Sequence, residues 1–248
     1  MKALVCVSLV PDSTTKIKIK SDGKTVETDG VSFVLNPYDE FAVEETVKMK
    51  ETFQAETTVV SFGSEASKEA IRKSFQMGID KGILIKSDSN DFDSMTVAKN
   101  LADLIDEIKP DIIFFGKQSI DYDGQLLPAL VGSLLDIPNI STVTSLTING
   151  SEIIAEREIE GGKETVIASL PVIIGAQKGL NTPRYPNLKS IMASKSKPID
   201  IRTQKYTGNY VEVTGMELPA TKGKGKIFEG ADSVPELVKL LKEEAKVI

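Results

Sequence analysis

Short apolar runs alternate with longer amphipathic ones over the first three-fifths of the chain. This is the pattern of a mostly parallel sheet whose strands are joined by crossover helices. Residues 3–7 (ALVCV), 57–62 (TTVVSF), 83–85 (ILI) and 111–115 (DIIFF) read as strands buried on both faces. Asn36-Pro37 opens a helix, with Asn as N-cap, Pro at the first helical position, and Asp39 and Glu40 suiting the dipole. Residues 65–77 and 93–108 read as two further helices, the second stopping before Pro110. The alternating KIKIK at 16–20, followed by SDGK, predicts an exposed hairpin with residues 25–28.

The texture changes near Thr142. Residues 143–148, 153–159 and 164–169 read as strands joined by Asn-Gly and Gly-Gly turns, so an antiparallel extension is expected, with another strand at 170–175. Residues 207–232 show little periodicity, and such a stretch is more natural as an arm lying along another subunit. Residues 233–246 recover an amphipathic helix, with Ser233 as cap, Pro235 in the first turn, and Leu237, Val238, Leu240 and Leu241 on its apolar side. The expected fold is α/β: a doubly wound, mostly parallel, Rossmann-like sheet with an antiparallel extension and a long C-terminal arm ending in a helix. The division falls near residue 195, with 1–195 the nucleotide-binding type of domain and 196–248 the arm.

Composition excludes several chemistries. Of 248 residues none is His and one is Cys, Cys6. Ser-His-Asp and Cys-His nucleophilic sites, His-ligated metals, disulfides and CxxC pairs are therefore ruled out within the chain. A net charge of −6 argues against generic nucleic-acid binding. The apolar run before Pro11 is short for a signal peptide or a membrane span, so a cytoplasmic chain without membrane insertion is expected. Charge is nevertheless segregated. Lys178, Arg184, Lys189, Lys195, Lys197, Arg202 and Lys205 face Asp200 alone between residues 171 and 206, which reads either as a solvated connector or as a docking surface for something anionic.

Neither GxGxxG nor GxxxxGK[ST] occurs. Ligands of open parallel sheets sit beyond the carboxyl ends of strands, where loops lead into helix N-termini. The candidate ends are Cys6-Val7-Ser8, Asn36-Pro37, the stretch from Ser61 through Phe62 to Ser64, and residues 116–128. A phosphate would lie near Gln125, the competing reading being ordinary capping turns. Asp121 and Asp123 suit a turn better than a metal, because nothing at ligand spacing accompanies them. Tyr38 suits either packing or stacking on a cofactor. Cys6, inside an apolar strand, reads as a small buried hydrophobe.

The run EREIEGGKETVIASLP at 156–171, GLNTPRY at 179–185, Ile191-Met192, ETDG at 27–30, LNPYDEFAVEE at 35–45 and GKQSID at 116–121 together resemble the electron-transfer flavoprotein beta subunit, in order and over essentially the whole chain. The resemblance implies a heterodimer with an alpha subunit that provides most contacts to one FAD. Electrons would come from acyl-CoA dehydrogenases, as in fatty acid beta-oxidation, and pass to a quinone oxidoreductase. It also implies a structural AMP near Cys6 (through its backbone), Asn36, Phe62, Asp123, Gly124, Gln125, Leu126 and Leu127. Tyr38 would lie near the flavin, and Leu180, in a partner-recognition loop at about 177–192, would anchor partner dehydrogenases, with Lys178, Arg184 and Lys189 steering them. No catalytic residue and no metal site are implied.

One segment departs from the family pattern. Gln125-Leu126-Leu127-Pro128 lacks the hydroxyl and amide that ordinary members place at the phosphate. Its spacing, one residue short, is similar to that of the flavin-bifurcating branch, which holds a second FAD in place of AMP. A nucleotide-binding phosphohydrolase or sensor of the same fold, using Asp121 and Asp123 as metal ligands, is the alternative from a different class.

Overall fold

The computed structural model describes residues 1–88, 92–221, 223 and 225–248. Lys222 and Lys224, within the expected arm, lie outside the described residues. The chain runs β1 (Lys2–Val7), β2 (Leu9–Pro11), β3 (Phe33–Leu35), α1 (Pro37–Phe53), β4 (Glu56–Gly63), α2 (Lys68–Met77) and β5 (Lys81–Lys86). It continues through α3 (Ser94–Ile108), β6 (Ile112–Gly116), α4 (Leu127–Leu135), β7 (Asn139–Asn149), β8 (Glu152–Ile159) and β9 (Gly162–Ser169). Last come β10 (Val172–Ala176), α5 (Leu188–Ser196), β11 (Asp200–Thr203) and α6 (Val234–Glu243).

Nine strands form one sheet in the order β11-β5-β4-β1-β6-β10-β7-β8-β9. Pairing is parallel from β11 to β7 and antiparallel from β7 to β9, the mixed sheet expected from the apolar runs and the Gly turns. Alternation of side chains sorts the core into two layers. Val5, Val59 and Phe114 face α1 and α2, meeting Val43, Val47, Ile71 and Phe75. Leu4, Val60 and Ile113 face the other way, toward Leu101, Ile105 and Val131 of α3 and α4. The sheet is thus doubly wound. Each large side chain so buried contributes roughly 1.5–3 kcal/mol.

Several elements differ from the sequence pattern. The expected hairpin at 16–28 reduces to a single bridge, Ile19 with Val26, flanked by backbone bonds. Ile17 on its apolar face stays exposed, so the face has little core to cover and longer strands are not held. β2 and β3 pair as a separate antiparallel ribbon that the pattern did not signal. α5 forms in the Lys- and Ser-rich segment, capped by the Asn187 side chain accepting from the Ser190 amide. β11, beyond residue 195, adds a parallel edge strand next to β5.

The chain passes from β1 outward through β4 to β5, then returns by α3 to β6 on the other side of β1. The switch in winding direction therefore lies between β1 and β6. Crevices for ligands open at the carboxyl ends of such strand pairs.

Candidate functional site

Asp39 sits at this switch point. It is buried in the first turn of α1, and its carboxylate accepts four hydrogen bonds. The Ser8 amide and hydroxyl, just after β1, donate to Oδ2 at 2.8 and 3.0 Å. Asn36 Nδ2 and the Gly116 amide, at the end of β6, donate to Oδ1 at 2.9 and 3.2 Å. One side chain thus ties both strands of the switch point to the helix between them. Burial outweighs the four donors and raises the Asp39 pKa from 3.8 to about 7. Burial, and then the Asp39 charge, push the Cys6 thiol well above its ordinary value. That thiol is buried and unpaired, an inert part of the second core layer.

Asn36 does not cap α1 with its side chain, contrary to its position in the sequence. Its Nδ2 is committed to Asp39 and to the Gln118 carbonyl at 2.9 Å, and its Oδ1 accepts from the Ile120 amide at 3.3 Å. The residue pins the β6–α4 loop to α1 across more than eighty positions, and no local signal reports a bridge of that span. Tyr38 is half-buried, with the Lys117 ammonium 4.9 Å from its ring centroid.

The β6–α4 loop is a self-contained turn. The Ser119 amide donates to the Gly124 carbonyl at 2.9 Å. Gln118 donates to Asp123 at 2.9 Å, and Gln125 Nε2 donates to Gln118 Oε1 at 3.2 Å. Asp121 accepts from the Ser119 hydroxyl and the Tyr122 amide, while Asp123 takes a positive φ of 51°. Both acids serve the turn. Among the described residues no group of three or more His, Cys, Asp or Glu is disposed to hold a metal.

Asp123, Gly124, Gln125 and Leu126 are exposed, and Leu127 packs half-buried against the second core layer. No side chain caps α4, so its first-turn amides have no local side-chain acceptor. At the end of β4, Ser61 Oγ is buried without a hydrogen-bond partner, an orphan that calls for one. Phe62 beside it meets Phe92 edge to face at 4.9 Å. The uncapped start of α4 leaves backbone amides open to a polar, anionic group, whereas Ser61 lies on the α1 and α2 side of the sheet with Val59.

The loop after β10 separates the docking candidates. Leu180 is half-buried and packs against the main core layer. Arg184 is bound to α1: Nε and Nη2 donate to Glu44 at 2.9 Å each, and Nη1 and Nη2 donate to Glu51 at 2.6 and 3.0 Å. Lys178 and Lys189 are exposed, and among the described residues neither they nor Lys195 form an ion pair. The apolar groups that protrude here are Tyr185 (96% exposed), Leu188 (77%) and Met192 (61%), which lie within the expected 177–192 loop but are not singled out by the sequence as its anchors. Their signal was available in the polar neighbours that give them no core-facing stripe.

Elsewhere the basic segment is largely paired within the chain. Arg202 meets Glu107 and Asp200, Lys205 meets Asp103, and Lys197 donates to the Ile79 carbonyl. The following residues lie along α3. Asn100 Oδ1 accepts from the Lys205 and Tyr206 amides, and Asp93 Oδ2 accepts from the Tyr210 and Val211 amides. Among the described residues, the last hydrogen bond from the arm to the domain is the Met216 amide on the Gly23 carbonyl at 2.8 Å. No residue of α6 is buried, and its apolar side, Leu237 and Val238 included, is open. No helix among the described residues is long and apolar enough to cross a membrane.

These features define a doubly wound α/β protein whose winding switches direction between β1 and β6. A model of the electron transfer flavoprotein domain matches residues 23–205. The chain is 36% identical over 260 residues to the electron transfer flavoprotein subunit beta of Bacillus subtilis (strain 168), covering 100% of both chains. It is 38% identical to that of Bradyrhizobium diazoefficiens over 250 residues, again 100% of both. With the Mus musculus subunit it shares 36% over 255 residues, 100% of this chain and 99% of the other. The chain belongs to the electron transfer flavoprotein beta-subunit family.

Proposed function

We propose that this chain is the beta half of a heterodimeric electron carrier. It takes electrons from acyl-CoA and related dehydrogenases and passes them to a quinone oxidoreductase. The similarity over the full length of the beta subunits carries this reading. FAD, held mainly by an alpha subunit, supplies the electron-carrying chemistry when bound, and this chain supplies position and surroundings. Tyr38 and Lys117 provide an aromatic face and a cation at the strand ends facing that partner.

A structural AMP belongs in the crevice. Its adenine lies against backbone near Cys6, with Phe62 alongside, and its phosphate meets the backbone amides of 125–127 that lead into the uncapped start of α4. Asn36 acts through the loop it pins, since both its amide protons are already spent. Because Leu126 and Leu127 carry no polar side chain, the phosphate is held by backbone N–H groups, as at other helix starts. The open side of α6 is covered by the alpha subunit. Dehydrogenase docking falls to Leu188, with Tyr185 and Met192 beside it and Lys178 and Lys189 as a basic rim, while Leu180 supports the loop from below.

Mass analysis of nucleotides released on denaturing the purified heterodimer tests this reading. One FAD and one AMP per heterodimer are expected. Two FAD and no AMP would move the protein to the bifurcating branch, and a colourless monomer hydrolysing nucleotides with Mg²⁺ would reject electron carriage altogether.

A further inference from the structure

Residues 177–187 connect β10 to α5 without regular structure, yet the segment is not slack. Two tethers fasten it to the outer side of α1. Asn181 Nδ2 donates at 2.9 Å to the Phe41 carbonyl and at 2.9 Å to Glu45 Oε2. Arg184 then spreads its guanidinium over two carboxylates, one almost wholly buried (Glu44 side chain 7% exposed) and one open (Glu51, 55%). Its backbone amide adds a bond to Glu44 at 3.1 Å. Glu44 and Glu51 stand seven positions apart, two turns along one helix face, which is the span a planar fork can bridge and a point charge cannot.

Immediately after this clamp the exposed apolar residues begin, at Tyr185, Leu188 and Met192. Ordering a flexible loop on binding subtracts from affinity, and a loop already held gives that free energy back to the complex. We propose that Arg184 is a positioning residue: its double carboxylate clamp on α1 holds the Tyr185-to-Met192 segment in the arrangement that a partner dehydrogenase meets, without touching that partner itself. The inference rests on the docking reading above and adds to it the device that sets the loop. It also reassigns Arg184 from steering charge to internal anchor, because its cation is neutralised by Glu44 and Glu51.

The test uses the heterodimer, with an acyl-CoA dehydrogenase reduced by its acyl-CoA as electron donor. Arg184→Lys keeps the charge and loses the forks. It should raise KM for the dehydrogenase about tenfold, equivalent to ~1.4 kcal/mol of docking free energy, while kcat stays within twofold. Amide exchange across 180–192 should quicken in the same variant. Glu51→Gln removes only the exposed arm of the clamp, threatens folding least, and should show both changes to a smaller degree. Leu188→Ala serves as the control for docking, with raised KM and unchanged exchange. If Arg184→Lys and Glu51→Gln quicken exchange but leave KM alone while Leu188→Ala raises it, the docking site stands and the positioning role is overturned. If exchange is unchanged in both clamp variants, the clamp does not hold the loop and the proposal fails. If Leu188→Ala leaves KM unchanged, the docking reading itself fails and takes the proposal with it.

Discussion

The Gly116 amide donates to the Asp39 carboxylate at 3.2 Å, joining the last residue of β6 to the first turn of α1. So close an approach leaves no room for a side chain. A Cβ built on Gly116 would stand 2.4 Å from Asp39 Oδ1 and 2.7 Å from the Tyr38 carbonyl carbon. The second contact is with backbone, so the start of the helix would have to move. Gly116→Ala should therefore destabilise the chain by roughly 1–3 kcal/mol, the range for overpacking a filled site. It should also reduce the AMP recovered per heterodimer. Chemical denaturation with parallel nucleotide analysis measures both, and an unchanged midpoint would show that the helix start yields freely.

Asp39 makes stability depend on pH in a particular direction. Its folded pKa is near 7, against 3.8 as the ordinary value. Between pH 4 and 7 the folded chain therefore holds a proton that the unfolded chain has lost, and stability contributed by this group falls as pH rises. It is fully present below pH 4 and gone above pH 7. The slope attributable to one such proton reaches about 1.4 kcal/mol per pH unit. Unfolding curves for wild type and Asp39→Asn across this window should diverge by that slope, the variant being the flatter. Parallel curves would mean that the carboxyl titrates near its ordinary value, its four donors offsetting burial.

The tail should behave as two pieces. Through residue 216 it is tied to α3 and to the 20–25 turn by hydrogen bonds that its backbone amides donate to Asp93, Asn100 and Gly23. Beyond that point the described residues are mostly exposed, and no residue of the amphipathic α6 is buried. Exchange of amides in 217–248 should be fast in the isolated subunit and slow in the heterodimer. Those in 204–211 should be protected in both. Equal protection of α6 in both samples would show that the arm folds back on its own domain.

What could be read from the sequence followed the range of the interactions concerned. The parallel strands, α1 to α3 and the antiparallel extension all carry local apolar periods, and the structure holds them within a few residues of the expected bounds. α5 and β11 are four to nine residues long, polar and weakly patterned, and exist because α2 and β5 offer them a surface. Asp39 looked like a complement to the helix dipole. Its burial comes from Gly116, seventy-seven positions away, and a glycine ending an apolar strand was the available sign of a close approach. Leu180 lies in the segment before α5 and Leu188 opens that helix, eight positions apart. Only packing on the β10 side distinguishes the buried one from the exposed one.

That pair gives the sharpest functional test. Leu188→Ala removes a protruding side chain that contacts no core, so thermal stability should stay within about 0.5 kcal/mol, as for most surface changes. Electron transfer from an acyl-CoA dehydrogenase should slow severalfold, because an exposed apolar anchor inside a basic rim acts as a small hot spot. Leu180→Ala should do the reverse, costing about 2 kcal/mol of stability, the low end for a leucine that is only half-buried, with little direct loss of transfer once folded. Lys189→Glu should lower the transfer rate mainly at low ionic strength, where the rim's attraction is least screened, and the gap should close as salt is raised. Stopped-flow reduction of the heterodimer by the dehydrogenase, run at two salt concentrations beside thermal melts, separates the three variants. If Leu180→Ala slows transfer at full stability while Leu188→Ala does not, the anchor is the inner leucine. The loop would then have to turn over when the partner arrives.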